Sequence, residues 1–192
     1  MLVEKSNKAG VATLLLNRPE TLNALTVGMF AELRSHIEAL GNDETALCVI
    51  VRGAGRCFSA GHDLADIHEG ENMPSPGWHS EILEMLENLP QPVIAAVHGH
   101  CYTGALEVAL ACDFIIAADN ARFADTHSKW ALTPIWGMSQ RLPRRVGIAA
   151  AKHLMFSADT INAAEAVRIG LAELAVPLLA EVGVGPNWDQ AH

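Results

Sequence analysis

Glu107 is the residue of this chain whose type and surroundings most suggest chemistry. It lies in the stretch VHGHCYTGALEVALACD (97–113), where its neighbours from Ala105 to Cys112 are all apolar. The pattern predicts a buried strand, a tight turn and a helix beginning near Thr103, with the carboxylate one turn into that helix. Apolar surroundings raise the pKa of a carboxylic acid toward the range used in general acid–base catalysis. The alternative interpretation is a Glu that only complements the helix dipole.

Two main-chain amides near this carboxylate are candidates for holding a developing negative charge. Gly104 has no side chain, so a ligand can approach its N–H closely at the start of the helix. The loop FSAGHDL (58–64) also follows a buried strand, and in it Gly61 directly precedes the amide of His62. Two such amides at the ends of adjacent strands form a two-donor oxyanion hole. The alternative is an ordinary turn, because Gly, Ser, His and Asp are common in turns.

The elements that position these residues alternate between strands and helices. Short apolar runs predict strands over 11–17, 47–53, 93–99, 113–119 and 121–125. Apolar stripes and caps predict helices over 26–40, from the end of the loop 71–78 to residue 89, and over 103–112. From residue 137 onward the pattern is helical, with breaks at Pro143, Ser157 and Gly170. The strand 47–53 is apolar enough to be buried on both faces. This alternation predicts an α/β fold with mainly parallel strand pairing.

The composition limits the class of protein. The chain has 192 residues, half of them hydrophobic, which fits one domain with a sizeable core. Its formal net charge of -9 argues against nucleic acid or an anionic membrane surface as a partner. No apolar run is long enough for a transmembrane helix, the N-terminus lacks a signal-peptide pattern, and the four cysteines form no CxxC pair. We therefore expect a reduced, cytoplasmic protein.

Four segments, in this order and spacing, resemble the crotonase superfamily, and most closely its enoyl-CoA hydratases. They are LNRPETLNAL, CFSAGHDL, PVIAAVHGHCYTGALEVALACD and ARFADTHSKWALTPIWGMSQRLPRRVG, which occupy 16–25, 57–64, 92–113 and 121–147. The resemblance runs from about residue 3 to about Val176. It implies the crotonase (ClpP/crotonase-like) fold, a spiral of stacked ββα units, as a core domain over 1–176. Residues 177–192 then form a divergent tail in place of the family's usual C-terminal helices.

The resemblance also implies a substrate and a set of site residues. Members of the family bind an acyl thioester of coenzyme A, which is part of the substrate, so no separate cofactor is expected. By position, the amides of His62 and Gly104 match the oxyanion donors, and Glu107 matches the first catalytic glutamate. The substrate-binding positions are Ala60, His62, Asp63, Leu64 and Gly104. The family also implies a homo-oligomer, a trimer or a hexamer.

The second catalytic glutamate of the hydratases falls on His127 in this chain. Histidine is a competent acid–base residue, so a pair of Glu107 and His127 can still hydrate a double bond. The alternative is that His127 only fills space, and Asp125 is a further candidate whose side chain can point elsewhere in a strand of period two. Thr103 stands where many hydratases have a glycine, and Trp130 and Trp136 either shape the acyl pocket or simply pack.

The predicted reaction is therefore the addition of water to a 2-enoyl-CoA thioester through an oxyanion-stabilised enolate. A site with one carboxylate also suits enoyl-CoA isomerisation, acyl-CoA decarboxylation or thioester hydrolysis, and a non-catalytic acyl-CoA-binding relative is a further alternative. The decarboxylase branch uses a tyrosine within 130–137, which this chain lacks. A metal site at His62, His98 and His100 is the least favoured alternative, so no metal is expected.

Overall fold

The computed structural model describes residues 1–70 and 72–177. Its strands are β1 (Val3–Lys8), β2 (Val11–Leu16), β3 (Cys48–Gly53), β4 (Val93–Val97), β5 (His100–Tyr102), β6 (Phe114–Ala118), β7 (Arg122–Ala124), β8 (Ile161–Asn162) and β9 (Leu174–Val176). Its helices are α1 (Val27–Leu40), α2 (Leu64–Glu69), α3 (Trp78–Glu87), α4 (Gly104–Leu110), α5 (Met138–Val146), α6 (Ile148–Ser157) and α7 (Ala163–Arg168). The predicted divergent tail lies, apart from its first residue, outside the described residues.

The strands form two sheets. The larger has the order β1-β2-β3-β4-β6-β9, and the smaller has the order β5-β7-β8. Parallel pairing joins β2 to β3, β3 to β4, β4 to β6 and β6 to β9, as predicted for an α/β fold. The antiparallel pair β1–β2 is a hairpin whose two turn residues, Ala9 and Gly10, have φ values of +52° and +85°. Such values are typical of tight hairpin turns, because they match the twist of the strands.

Helix α1 confirms the predicted helix and the predicted buried face. The hydroxyl of Thr26 accepts a hydrogen bond from the amide of Met29 at 3.2 Å, so Thr26 is the N-cap. The five buried side chains of the helix are the predicted stripe, namely Met29, Phe30, Leu33, Ile37 and Leu40. Helix α1 packs on α3, and the two helices cover the core near the site described below.

Two local predictions were wrong, and one helix was not predicted. Strand β3 is not buried on both faces, because only alternate residues from Val49 to Gly53 face the core and Arg52 is exposed. Helix α5 continues through Pro143, which removes one interior hydrogen bond, and ends instead at Gly147, whose φ is +82°. Helix α2 was not predicted; the carboxylate of Asp63 caps it by accepting from the amide of Ala65 at 2.9 Å. Within the described residues, no helix is long and apolar enough to cross a membrane.

Candidate active site

The loop that precedes α2 runs alongside the chain that leads into α4. A parallel bridge pairs Ser59 with Cys101: the amide of Ser59 donates to the carbonyl of His100 at 2.9 Å, and Tyr102 donates back to Ser59 at 3.4 Å. Three residues further along the two segments lie His62 and Gly104. The two residues predicted as oxyanion donors therefore occupy equivalent positions on adjacent, parallel pieces of chain.

The hydrogen bonds around His62 determine which way its amide points. The amide of Leu25 donates to the carbonyl of Gly61 at 2.8 Å, and the amide of Asp63 donates to Leu25 at 2.9 Å. A carbonyl and the N–H of the same trans peptide point in opposite directions, so the N–H of His62 points away from Leu25. A Cβ on Gly61 would lie 2.6 Å from the Tyr102 carbonyl oxygen, so this close approach requires glycine.

The amide of Gly104 depends on an unusual backbone conformation at Thr103. Thr103 has φ +53° and ψ -112°, a region that a β-branched residue rarely adopts. Its ψ angle sets the direction of the next N–H, which donates no hydrogen bond to any residue the structure describes. Two contacts stabilise this conformation: the Thr103 amide donates to Ala124 at 2.8 Å, and its hydroxyl lies 2.6 Å from that of Thr126. The structure therefore stabilises a strained residue directly before the predicted donor.

A cleft of about 560 Å³ opens between these segments. Four predicted substrate-binding residues line it, namely Ala60, His62, Asp63 and Leu64, together with His127. Six further polar and aromatic residues line the cleft, namely Thr21, Tyr102, Thr103, Thr126, Lys129 and Trp130. Of these, only Thr103 and Trp130 were linked to the acyl pocket by the sequence. They come from three parts of the chain, around Thr21, at Tyr102–Thr103 and over Thr126–Trp130, which the fold brings together.

Asp63 lines the cleft, but its carboxylate is already used within the protein. One oxygen accepts from the Arg18 guanidinium at 2.9 Å and the other caps α2. Arg18 also donates to the carbonyl of Ala24 at 2.6 Å, within the first of the four segments, so its contact with Asp63 ties that segment to the loop. These contacts hold the pKa of the Asp63 carboxyl below its ordinary value, against the effect of its burial. Asp63 therefore stabilises the loop that carries His62.

Glu107 is almost completely buried on α4, with 1% of its surface exposed. Its Oε1 accepts two main-chain hydrogen bonds, from the amides of Trp136 at 2.9 Å and Met138 at 3.0 Å. Burial raises the pKa of its carboxyl to about 7, although the two amides and His127 act in the opposite direction. The predicted rise in pKa is confirmed. The carboxyl group is thus a group that gains and loses a proton near neutral pH.

His127 lies between the cleft and Glu107. Its Nε2 is 3.9 Å from the free oxygen of Glu107, Oε2, which is beyond hydrogen-bond distance. An oxygen atom of a small reactant can nevertheless lie within hydrogen-bond distance of both atoms. On the other side of the ring, Nδ1 lies 2.6 Å from Oδ1 of Asp125, whose side chain is 1% exposed. Asp125 therefore points into the site.

Trp136 packs directly on the site. A Cβ on Gly104 would lie 2.4 Å from Cζ3 of the indole, so only glycine fits there. The indole ring is also 4.5 Å from the ring of His62 and 4.8 Å from that of Phe30, measured between centroids, and it is 2% exposed. Because its main-chain amide holds Glu107, Trp136 links the packing around Gly104 to the position of the carboxyl group.

No group of three or more His, Cys, Asp or Glu side chains is arranged to hold a metal ion in the described part of the chain. His98 contacts the carbonyl of Gly55 through Nε2, and His100 contacts the hydroxyl of Tyr102 through Nδ1. His62 instead packs against Trp136. The three histidines considered for a metal site therefore have separate surroundings.

Comparison with known proteins gives the same assignment as the motifs. The family model for enoyl-CoA hydratase/isomerase matches residues 6–183. Crotonyl-CoA hydratase of Syntrophomonas wolfei is 38% identical over 180 residues, 92% of this chain and 68% of that protein. Short-chain-enoyl-CoA hydratase of Clostridium acetobutylicum is 39% identical over the same shares of the two chains.

A solved structure of an enoyl-CoA hydratase from Bacillus anthracis superposes with a TM-score of 0.86. It is 36% identical, and the match covers 92% of this chain and 70% of that one. This similarity confirms the predicted crotonase fold. The chain belongs to the enoyl-CoA hydratase/isomerase family.

Proposed function

We propose that this protein adds water to the double bond of a 2-enoyl-CoA thioester. The observation that carries the proposal is the pairing of Glu107 with His127, whose facing atoms lie 3.9 Å apart next to the cleft. Hydration needs one group to take a proton from water and another to give a proton to the α-carbon. The names of the two hydratase relatives support the same reaction.

The proposed reaction begins with polarisation of the thioester. The amides of His62 and Gly104 donate to the thioester oxygen, which carries negative charge as the enolate forms. Water attacks the β-carbon, and its proton passes to Nε2 of His127 as the new C–O bond forms. The π electrons move toward the thioester oxygen. Glu107, whose raised pKa leaves a large protonated fraction near pH 7, then gives its proton to the α-carbon.

The test is the loss of the conjugated thioester absorbance when the protein is mixed with crotonyl-CoA. Glu107→Gln keeps an oxygen to accept from Trp136 and Met138 but cannot exchange a proton, so we expect kcat to fall about 100-fold or more. Glu165→Gln is the matched control, because the Glu165 side chain pairs with Arg168 at the surface of α7, outside the site. Binding without turnover in the unmodified protein would favour a non-catalytic acyl-CoA binder. Turnover that survives Glu107→Gln would contradict the assignment of Glu107.

Homo-oligomer formation and cytoplasmic localisation stay predictions. Ile148 and Phe156 on α6 are 66% and 73% exposed, and exposed hydrophobic side chains of this kind support a subunit interface. Sedimentation velocity of the full chain tests the expected trimer or hexamer. A single monomeric species at micromolar concentration would contradict it.

A further inference from the structure

The second side of the His127 ring has a partner that the proposed reaction does not yet use. Nδ1 of His127 lies 2.6 Å from Oδ1 of Asp125, a distance typical of a strong, charge-assisted hydrogen bond. Both side chains are buried, with 7% and 1% of their surfaces exposed. The same Oδ1 also accepts from the main-chain amide of His127 at 3.1 Å. One carboxylate oxygen thus holds both the backbone and the ring of His127.

We propose that Asp125 is a positioning residue that makes His127 the base for water. The inference rests on the proposed function. A proton on Nδ1, held by the Asp125 carboxylate, leaves the Nε2 lone pair available toward Glu107 and the cleft. When Nε2 takes the proton of the attacking water, the ring becomes positively charged. The buried negative charge of Asp125 stabilises that charge, and the Nδ1 proton stays where it is.

This arrangement explains how histidine can stand where the hydratases carry a carboxylate. Glu107 and a second carboxylate would be two acids of the same charge sharing one site. Here the negative charge lies on Asp125, two residues before His127, and the imidazole ring lies between the two carboxyl groups. The proton-accepting atom is therefore a nitrogen supported by a carboxylate.

A purely structural role for Asp125 is the competing interpretation. An Asp that accepts from the amide two residues later forms an Asx turn, and this turn begins the 3₁₀ helix His127–Trp130. Asp125→Asn separates the two roles, because an asparagine oxygen can still accept from the amide but carries no charge. The chain also offers a matched control: Asp159 pairs with His153 at 3.3 Å, and both side chains are exposed.

The experiment compares Asp125→Asn with Asp159→Asn in crotonyl-CoA turnover. We expect Asp125→Asn to lower kcat about 10- to 100-fold, with KM within about threefold, because the lost charge acts as the ring becomes protonated. Asp159→Asn should leave both constants unchanged. The inference would be overturned if kcat is unchanged in Asp125→Asn, or if the fall in kcat is fully accounted for by a smaller fraction of folded protein.

A spectroscopic readout keeps the inference testable apart from activity. Proton NMR of the unmodified protein should show a downfield imidazole N–H that exchanges slowly, because the Nδ1 proton is buried in a short hydrogen bond. The signal should disappear in His127→Gln and move upfield in Asp125→Asn. Absence of the signal from the unmodified protein would overturn the inference. If the signal is present but the protein does not turn over crotonyl-CoA, the Asp125–His127 hydrogen bond is supported and the proposed hydration is contradicted.

Discussion

Glu107 and His127 approach the same space from two segments, but the protein holds them in different ways. Two main-chain amides from a segment about 30 residues later hold Glu107. A carboxylate two residues away in the chain holds His127. The first arrangement depends on tertiary packing around Trp136, whereas the second is mostly local. Changes on the Glu107 side should therefore disturb stability and chemistry together, whereas changes on the His127 side can affect chemistry alone.

The largest expected effect on the His127 side comes from His127→Ala. We expect kcat to fall about 100-fold or more, since proton transfer by a positioned base contributes this much. Substrate binding should weaken by a smaller factor than kcat, because the proposed oxyanion donors, the amides of His62 and Gly104, are untouched. Steady-state kinetics with crotonyl-CoA measures both. His153→Ala, on the exposed face of α6, is the control, and equal losses in binding and kcat would show that His127 is only a pocket wall.

On the Glu107 side, the largest expected effect is on stability and depends on pH. The ordinary pKa of the carboxyl is 4.5 and burial raises it to about 7. As pH rises from about 4.5 to about 7, the unfolded chain releases the proton while the folded chain retains it. The free energy of unfolding therefore falls across this window, by up to about 3 kcal/mol, and changes little above it.

Glu107→Gln removes this pH dependence, so urea unfolding at pH 5 and pH 8 is the measurement. Relative to the unmodified protein, the variant should become more stable as the pH rises from 5 to 8. If the free energy of unfolding changes equally between pH 5 and pH 8 in both proteins, the pKa of the Glu107 carboxyl is not raised in the folded state.

Gly104→Ala tests how closely packing and chemistry are linked on the Glu107 side. The added methyl group would lie 2.4 Å from the buried indole of Trp136, so we expect a loss of about 1–3 kcal/mol in the free energy of unfolding. Turnover should fall as well, because a shifted Trp136 moves the amide that holds Glu107. Gly41→Ala is the control, since its new methyl group meets nothing closer than 3.7 Å. Equal behaviour of the two variants would contradict the tight contact.

The smallest expected effect comes from Thr126→Val, beside His127. It removes the hydroxyl contact that stabilises the strained backbone of Thr103, and we expect a loss of about 1 kcal/mol. Turnover should fall modestly, because the conformation of Thr103 directs the Gly104 amide. Thr13→Val on β2 is the control in both urea unfolding and kinetics. If the two variants are indistinguishable, the Thr126 contact does not hold Thr103.

Much of the fold was predictable because its signals are local. The cap at Thr26, the stripe of α1 and the apolar strand cores predict elements that the structure contains. The full burial predicted for β3 failed, since it depends on which face a neighbour covers. The break predicted at Pro143 failed because the packing of α5 on α4 and α6 outweighs the interior hydrogen bond that the proline removes. Helix α2 is six residues long, and its apolar pattern is too short to predict.

Residue types and their spacing were enough to identify the candidate residues: a lone carboxylate in an apolar helix, two glycine-associated amides, and a histidine with an Asp two positions before it. How these residues meet depends on the packing of distant segments. It aligned His62 with Gly104, turned Asp125 toward the His127 ring, and placed Trp136 so that its amide holds Glu107. Residue type and spacing set which chemical groups a segment offers, whereas the direction and distance between groups on different segments follow from how the elements pack.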